Sequence, residues 1–194
     1  MSQTPKVVSR TELSPADAKW ITLKKLKYID AEGRERFWEC AERRTRKSTG
    51  IDAVAILAVI KSKTNSFPPS TIAIEQYRPP IDKFVIELPA GLIDEGETPE
   101  QAAIRELEEE TGLKADSIVE SSPVVVSDPG MTNANMKLVI LKVTLEDKLE
   151  LPDQKLEQGE FIVRKVISMD SLYEELKGQW SLVHFETLKL FSDA

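Results

Sequence analysis

Gly91-Leu92-Ile93-Asp94-Glu95-Gly96-Glu97-Thr98-Pro99-Glu100-Gln101-Ala102-Ala103-Ile104-Arg105-Glu106-Leu107-Glu108-Glu109-Glu110-Thr111-Gly112-Leu113 is the stretch on which the fold turns. It reads as a loop, a helix and a helix stop. Thr98 can accept hydrogen bonds as N-cap, Pro99 suits the first helical position, and Gln101 at N3 completes a capping box. Ala102, Ala103, Ile104 and Leu107 are expected to form the apolar side. Gly112 suits a left-handed C-terminal cap. A helix is therefore predicted over 99–111.

Acidic residues crowd the end of that helix. Glu106, Glu108, Glu109 and Glu110 fall close together. At about 3.6 residues per turn, Glu106 and Glu110 stack and Glu109 lies beside them. Like charges at this spacing repel, and the helix dipole disfavours anions near the C-terminus. A bound divalent cation removes both costs, and hard carboxylate oxygens suit Mg²⁺ or Mn²⁺. A lone Glu-Glu-Glu run is ordinarily a solvated face, so the spacing around this one decides its meaning.

The rest of the chain sets the context. It has 194 residues, 41% hydrophobic and 30% charged, enough for one large domain with a core. No apolar run approaches the ~20 residues of a membrane span. Met1 to Arg10 is polar and lacks the apolar region of a signal peptide. A soluble protein of the cytoplasm is expected, with the nucleus also open. The net charge of −7 argues against sequence-blind nucleic-acid binding, which needs a basic footprint. One histidine, His184, excludes a His-rich zinc site and disfavours a Ser–His triad. One cysteine, Cys40, excludes an internal disulfide. Both are expected to be structural residues. So are Leu182, Phe185 and Leu188, read as core-facing positions of a last helix.

Strands are expected at 20–28 and 34–41, forming an N-terminal hairpin, then at 51–60, 71–76, 84–88, 123–127, 136–144 and 161–166. Pro79 and Pro80 interrupt ladder pairing after Arg78. Residues 89–97 and 146–159 read as loops. Ser168 is expected to cap a helix through Lys177, and Ser181 to begin another ending near Phe191. The fold class is α/β. Two regions are expected, an arm and hairpin over 1–50 and a catalytic domain over 51–194.

Reading outward from the acids gives Gly91, five residues, Glu97, seven residues, then Arg105-Glu106-Leu107-Glu108-Glu109-Glu110-Thr111-Gly112-Leu113. This resembles the signature box of the Nudix hydrolases at every constrained position. The resemblance implies mixed β-sheets sandwiched between helices, with the box as a loop–helix–loop. It implies that Glu106, Glu109 and Glu110 bind Mg²⁺, which Mn²⁺ can replace. The carbonyl of Ala90 is implied as a further ligand. Arg105 and Glu97 would orient the cluster, and Gly91 would allow a sharp backbone turn.

Outside the box the chain is similar to the ADP-sugar pyrophosphatases, especially those acting on ADP-ribose. Arg78-Pro79-Pro80 and Glu87-Leu88-Pro89-Ala90-Gly91 carry this likeness, as does Pro129, 16 residues after Leu113. Gly159-Glu160-Phe161 resembles a late loop whose Glu approaches the attacked phosphate. Glu160 is thus the first candidate for general base and Glu109 the second. Trp20, Trp38 and Glu39 resemble residues that sandwich and read adenine, although either tryptophan could instead be a core residue. Arg43 would reach the terminal ribose or its phosphate, and Arg78 would clamp phosphate through its planar fork. Glu87, Leu92, Asp128, Gly130 and Met131 complete the implied substrate-binding set. The expected partners are a small nucleotide sugar and a second copy of the chain, through exchange of the N-terminal arm, with neither nucleic acid nor membrane. Another nucleoside diphosphate, such as an oxidised nucleotide or a dinucleoside compound, remains open as substrate. So does a module that binds ADP-ribose without cleaving it.

Overall fold

The computed structural model describes residues 4–177. Two strands, β1 (Ile21–Ile29) and β2 (Glu35–Arg43), form the antiparallel hairpin, a sheet of its own. Its turn is built by Asp30, whose carboxylate accepts from the backbone N–H of Glu32 and of Arg34.

The next strands are β3 (Ala53–Ser62), β4 (Ser70–Arg78), β5 (Lys83–Glu87) and β6 (Ala90–Leu92). After the helix α1 (Pro99–Thr111) come β7 (Ser117–Ser121), β8 (Val125–Val126), β9 (Asn135–Leu145) and β10 (Ile162–Ser168). These eight strands make one mixed sheet with two wings. In one wing β3 pairs parallel with β9 and, at its start, antiparallel with β6, while β7 and β8 line β9. In the other, β4 pairs with β5 and β10. The wings meet through the pairing of Ile60 with Ser70.

β3 is the spine because both of its faces are buried. Val54, Ile56, Ala58 and Ile60 point to a core shared with Ala102, Ala103 and Leu107 of α1. Leu57 points to the opposite side, among Ile86, Leu88, Leu172 and Leu176. Period-two alternation with apolar residues on both faces explains the unbroken run that marks this strand in the sequence.

The predicted strands appear with ends shifted by a few residues, and α1 has the predicted bounds. Four expectations are corrected. The loop 89–97 contains β6, which has three residues and no periodicity to betray it. β7 went unpredicted because it is a mostly exposed edge of polar composition. Ser168 caps no long helix. It ends β10, and a 3₁₀ turn over Met169–Ser171 leads to a short α2 (Leu172–Leu176). Ile104 is 40% exposed, so the buried side of α1 is made by Ala102, Ala103 and Leu107, together with Glu110 and Thr111. The helix predicted from Ser181, with His184, Leu182, Phe185 and Leu188, lies outside the described residues. Cys40 is free and buried.

Candidate active site

Two neighbouring pieces of backbone build the centre of the site. β6 runs beside the start of β3, and α1 lies across both. The helix is started by its capping box: Gln101 N–H donates to Thr98 Oγ1 at 3.2 Å, and Thr98 N–H donates to Gln101 Oε1 at 2.8 Å. Gly91 of β6 faces Glu106 of α1 so closely that a Cβ there would stand 1.9 Å from Glu106 Oε1. Only a residue without a side chain leaves room for that carboxylate.

Arg105 organises the acids. Its guanidinium donates to both carboxylate oxygens of Glu97 (2.9 and 3.0 Å), to Glu106 Oε1 (2.7 Å), to Glu109 Oε2 (3.0 Å) and to the Leu92 carbonyl (3.0 Å). These bonds hold the Glu97 carboxyl below its ordinary range and raise Arg105 itself. The hydrogen bonding to Glu97 contributes most to the latter, so the guanidinium is a permanent cation here.

Glu110 is the buried acid, 5% exposed. Its carboxylate accepts from the Ala90 backbone N–H at 2.9 Å. Burial raises its pKa to about 8, and the charges of Glu106 and Glu160 add to the rise. Burial also pushes Glu106 up, against the opposing pull of Arg105. Opposite them, Arg78 is held by Glu87, its Nε donating to Glu87 Oε1 at 2.8 Å and a terminal nitrogen to Glu87 Oε2. That fork raises the Arg78 pKa, and the charges of Glu110 and Glu160 reinforce it. Glu106, Glu110, Glu160 and Arg78 therefore share one electrostatic neighbourhood.

The donor chemistry fits a hard divalent cation. Glu110 is a desolvated carboxyl with no cationic hydrogen-bond partner among the described residues, a position a metal ion would neutralise. Glu106 and Glu109 stand on the same helix, and Ala90 adjoins Glu110. Among the described residues no three acidic, His or Cys side chains are already gathered into a metal cage. Instead Arg105 bridges Glu106 and Glu109.

A second group forms where the hairpin meets the loop leading into β9. Trp38 Nε1–H donates to the Gly130 carbonyl at 2.8 Å, and the Ala41 N–H donates to the Met131 carbonyl at 2.9 Å. Asp128 supports the turn, its carbonyl accepting from Met131 N–H and Thr132 N–H. Trp38 is 51% exposed and Trp20 71%, so neither is a core residue. The two do not meet. Trp38 lies opposite Leu26, six positions along β1 from Trp20, or about 20 Å at strand spacing. Glu39 and Arg43 are exposed on β2. Ala53 of β3 pairs with Leu92 on one side and Met136 on the other. Leu92 and Met136 thus stand ~10 Å apart across two strand spacings, and the acidic cluster beside β6 and the Gly130 loop leading into β9 share one end of the sheet.

Sequence reasoning missed the anchor of that loop. Arg46 donates to both oxygens of Asp52 (2.9 and 2.7 Å) and to the Asn133 carbonyl (2.7 Å), while Asp52 accepts from Asn135 N–H at 3.0 Å. Asp52 is 3% exposed. Burial pushes its pKa up, but the Arg46 bonds and the Asn135 N–H outweigh it and hold the carboxyl below its ordinary range. An acid opening an apolar strand was the available signal.

The NUDIX domain family model matches residues 70–191. A Schizosaccharomyces pombe protein named as an uncharacterized Nudix hydrolase is 45% identical over 175 residues, covering 90% of this chain and 83% of its own length. The Saccharomyces cerevisiae ADP-ribose pyrophosphatase is 45% identical over 148 residues, 76% of this chain and 63% of that protein. The Mus musculus ADP-sugar pyrophosphatase is 38% identical over 155 residues, covering 79% and 69%. A crystal structure of an ADP compounds hydrolase superposes with a TM-score of 0.58 at 20% identity, over 89% of this chain and 80% of that one, a likeness of fold. The chain belongs to the Nudix hydrolase family. It is a Nudix pyrophosphatase related to the ADP-ribose and ADP-sugar pyrophosphatases. No helix among the described residues is long and apolar enough to cross a membrane.

Proposed function

We propose that this protein hydrolyses the pyrophosphate bond of ADP-ribose or a closely related ADP-sugar, with Mg²⁺, giving AMP and a sugar phosphate. One observation carries the reading. Desolvated carboxylates packed under Gly91 share one sheet end with the Trp38–Gly130 platform. The relatives named for ADP-ribose and ADP-sugars support the choice of substrate.

Glu106, Glu109 and Glu110, with the Ala90 carbonyl, would hold the metal. When bound, the ion supplies charge neutralisation of the pyrophosphate and a lower pKa for attacking water. The remaining work falls to the chain's own groups. Arg78, aimed by its fork with Glu87, stabilises charge on the phosphate oxygens. Water attacks one phosphorus, and the bond from that phosphorus to the bridging oxygen breaks. Glu160 accepts the water proton, with Glu109 as the alternative acceptor. Glu97 and Arg105 keep the acids aligned. Trp38, Glu39, Leu92, Asp128, Gly130 and Met131 line the nucleotide side, and Arg43 reaches the distal ribose.

Trp20 enters this reading only through a second copy. Its distance from Trp38 along the hairpin forbids a sandwich of one base within one chain, so we infer a homodimer in which Trp20 of one copy faces Trp38 of the other. In that assembly the arm and hairpin of residues 1–50 serve pairing and base recognition, and residues 51–194 serve catalysis.

The deciding experiment is a product assay. ADP-ribose, ADP-glucose, NADH, diadenosine polyphosphates and 8-oxo-dGDP are incubated with the protein, with and without Mg²⁺, and products are resolved by chromatography. AMP and ribose 5-phosphate formed fastest from ADP-ribose, and only with metal, is the expected result. Faster turnover of 8-oxo-dGDP would overturn the substrate.

A further inference from the structure

The last four carbonyls of a helix have no partner within it. In α1 the Gly112 N–H takes that of Glu108 at 2.9 Å. The other three are taken by the late segment of the chain. Lys155 N–H donates to Glu109 O at 2.8 Å, Gln154 Nε2–H to Glu110 O at 2.6 Å, and an Arg164 terminal nitrogen to Thr111 O at 2.8 Å. The contact is close: a Cβ on Gly112 would stand 2.6 Å from the Pro152 carbonyl oxygen.

Gln154 does more than cap. Its amide nitrogen also reaches the carbonyl of Ile162, the first residue of β10, at 3.2 Å. One carboxamide thus joins the end of the acidic helix to both ends of the segment 155–161, which carries Glu160. The tip of that segment is itself a tight turn. Glu160 N–H donates to Glu157 O at 3.1 Å, Glu157 N–H donates to Glu160 Oε2 at 3.0 Å, and Gly159 supplies the φ of +95° the turn requires. Both of Gln154's partners are carbonyl oxygens, so the position needs two N–H donors on one short arm.

We propose that Gln154 is a positioning residue for Glu160. By closing the stem of the 155–161 loop on the last turn of α1, it sets where the Glu160 carboxylate stands relative to Glu106 and Glu110. This rests on the reading of Glu160 as the acceptor of the water proton. Without the clamp the loop remains but its stem opens, and the carboxylate spends less time in reach of the attacked phosphate.

The test is a double-mutant cycle with ADP-ribose and Mg²⁺, using Gln154→Ala and Gln154→Asn in the wild-type and Glu160→Gln backgrounds. In wild type each change should lower kcat about tenfold or more, leaving KM and the half-activating Mg²⁺ concentration in place. In Glu160→Gln neither should lower kcat further, because the positioned group is already gone. An unchanged kcat, or an equal loss in both backgrounds, would overturn the proposal. Hydrogen exchange gives a readout independent of turnover. Gln154→Ala should speed exchange across 155–161 while α1 stays protected, and equal exchange would overturn the clamp. If wild type failed to cleave ADP-ribose yet this exchange difference appeared, the substrate reading would fall and the clamp would stand.

Discussion

Gly91 and Glu110 show how much a single residue decides here. A methyl at position 91 would lie 1.9 Å from the Glu106 carboxylate. The neighbour is the far end of a flexible side chain, so it can swing aside and the fold should survive. Gly91→Ala is therefore expected to keep near-native stability and to raise the Mg²⁺ concentration needed for half-activity, measured by metal titration of turnover. Glu110 gives a pH prediction. Its carboxyl sits at about 8 in the fold against an ordinary 4.5, so the native state holds a proton that the unfolded chain releases. The share of metal-free stability that Glu110 contributes is then full below about pH 4.5 and is lost as pH rises through about 8. Glu110→Gln should flatten that slope in urea melts taken across the range, leaving the smaller share of Glu106. The acids themselves were legible in the sequence, because spacing alone puts them on adjoining helical positions. Their burial was not, since it depends on β6 closing over them, and β6 leaves no periodic trace.

At the scale of the element, α1 was read correctly to both ends because all its signals are local. Thr98, Pro99, Gln101 and Gly112 act within a few residues of one another. Thr98→Ala should remove one cap bond and cost ~1 kcal/mol in urea denaturation, with Mg²⁺ activation little changed. A loss near zero would mean the tertiary contacts of α1 already hold its first turn. β7 and α2 were misjudged for the opposite reason. Each is short, and each exists because β9 or β10 presents backbone for it to pair with or pack on. The helix end belongs to the same class. Its carbonyls are satisfied by Gln154, Lys155 and Arg164, more than forty residues downstream, and no local pattern announces such partners.

On the scale of the whole molecule, the hairpin stands as a sheet of its own, with Ile21, Leu23, Ile29 and Phe37 exposed. A two-stranded hairpin is marginal alone, and an apolar face of this kind favours a partner. The proposed homodimer predicts elution in gel filtration at twice the 21.8 kDa of one chain. It also predicts that Trp20→Ala raises KM for ADP-ribose without altering Mg²⁺ activation. A species of one-chain mass with full activity would remove Trp20 from the site. Family and α/β class were readable because the box is contiguous, whereas the Arg46–Asp52–Asn133 anchor joins places far apart in sequence. The parallel pairing of β3 with β9 has a consequence for how the protein is made. Ala53 has its partner in Met136, so during synthesis the spine waits for the whole intervening chain, acidic helix included. At ~5–20 residues per second that delay is on the order of ten seconds. For that interval a strand of almost wholly apolar residues has one unclaimed edge, and the newborn chain is most in need of a chaperone just before its last third emerges.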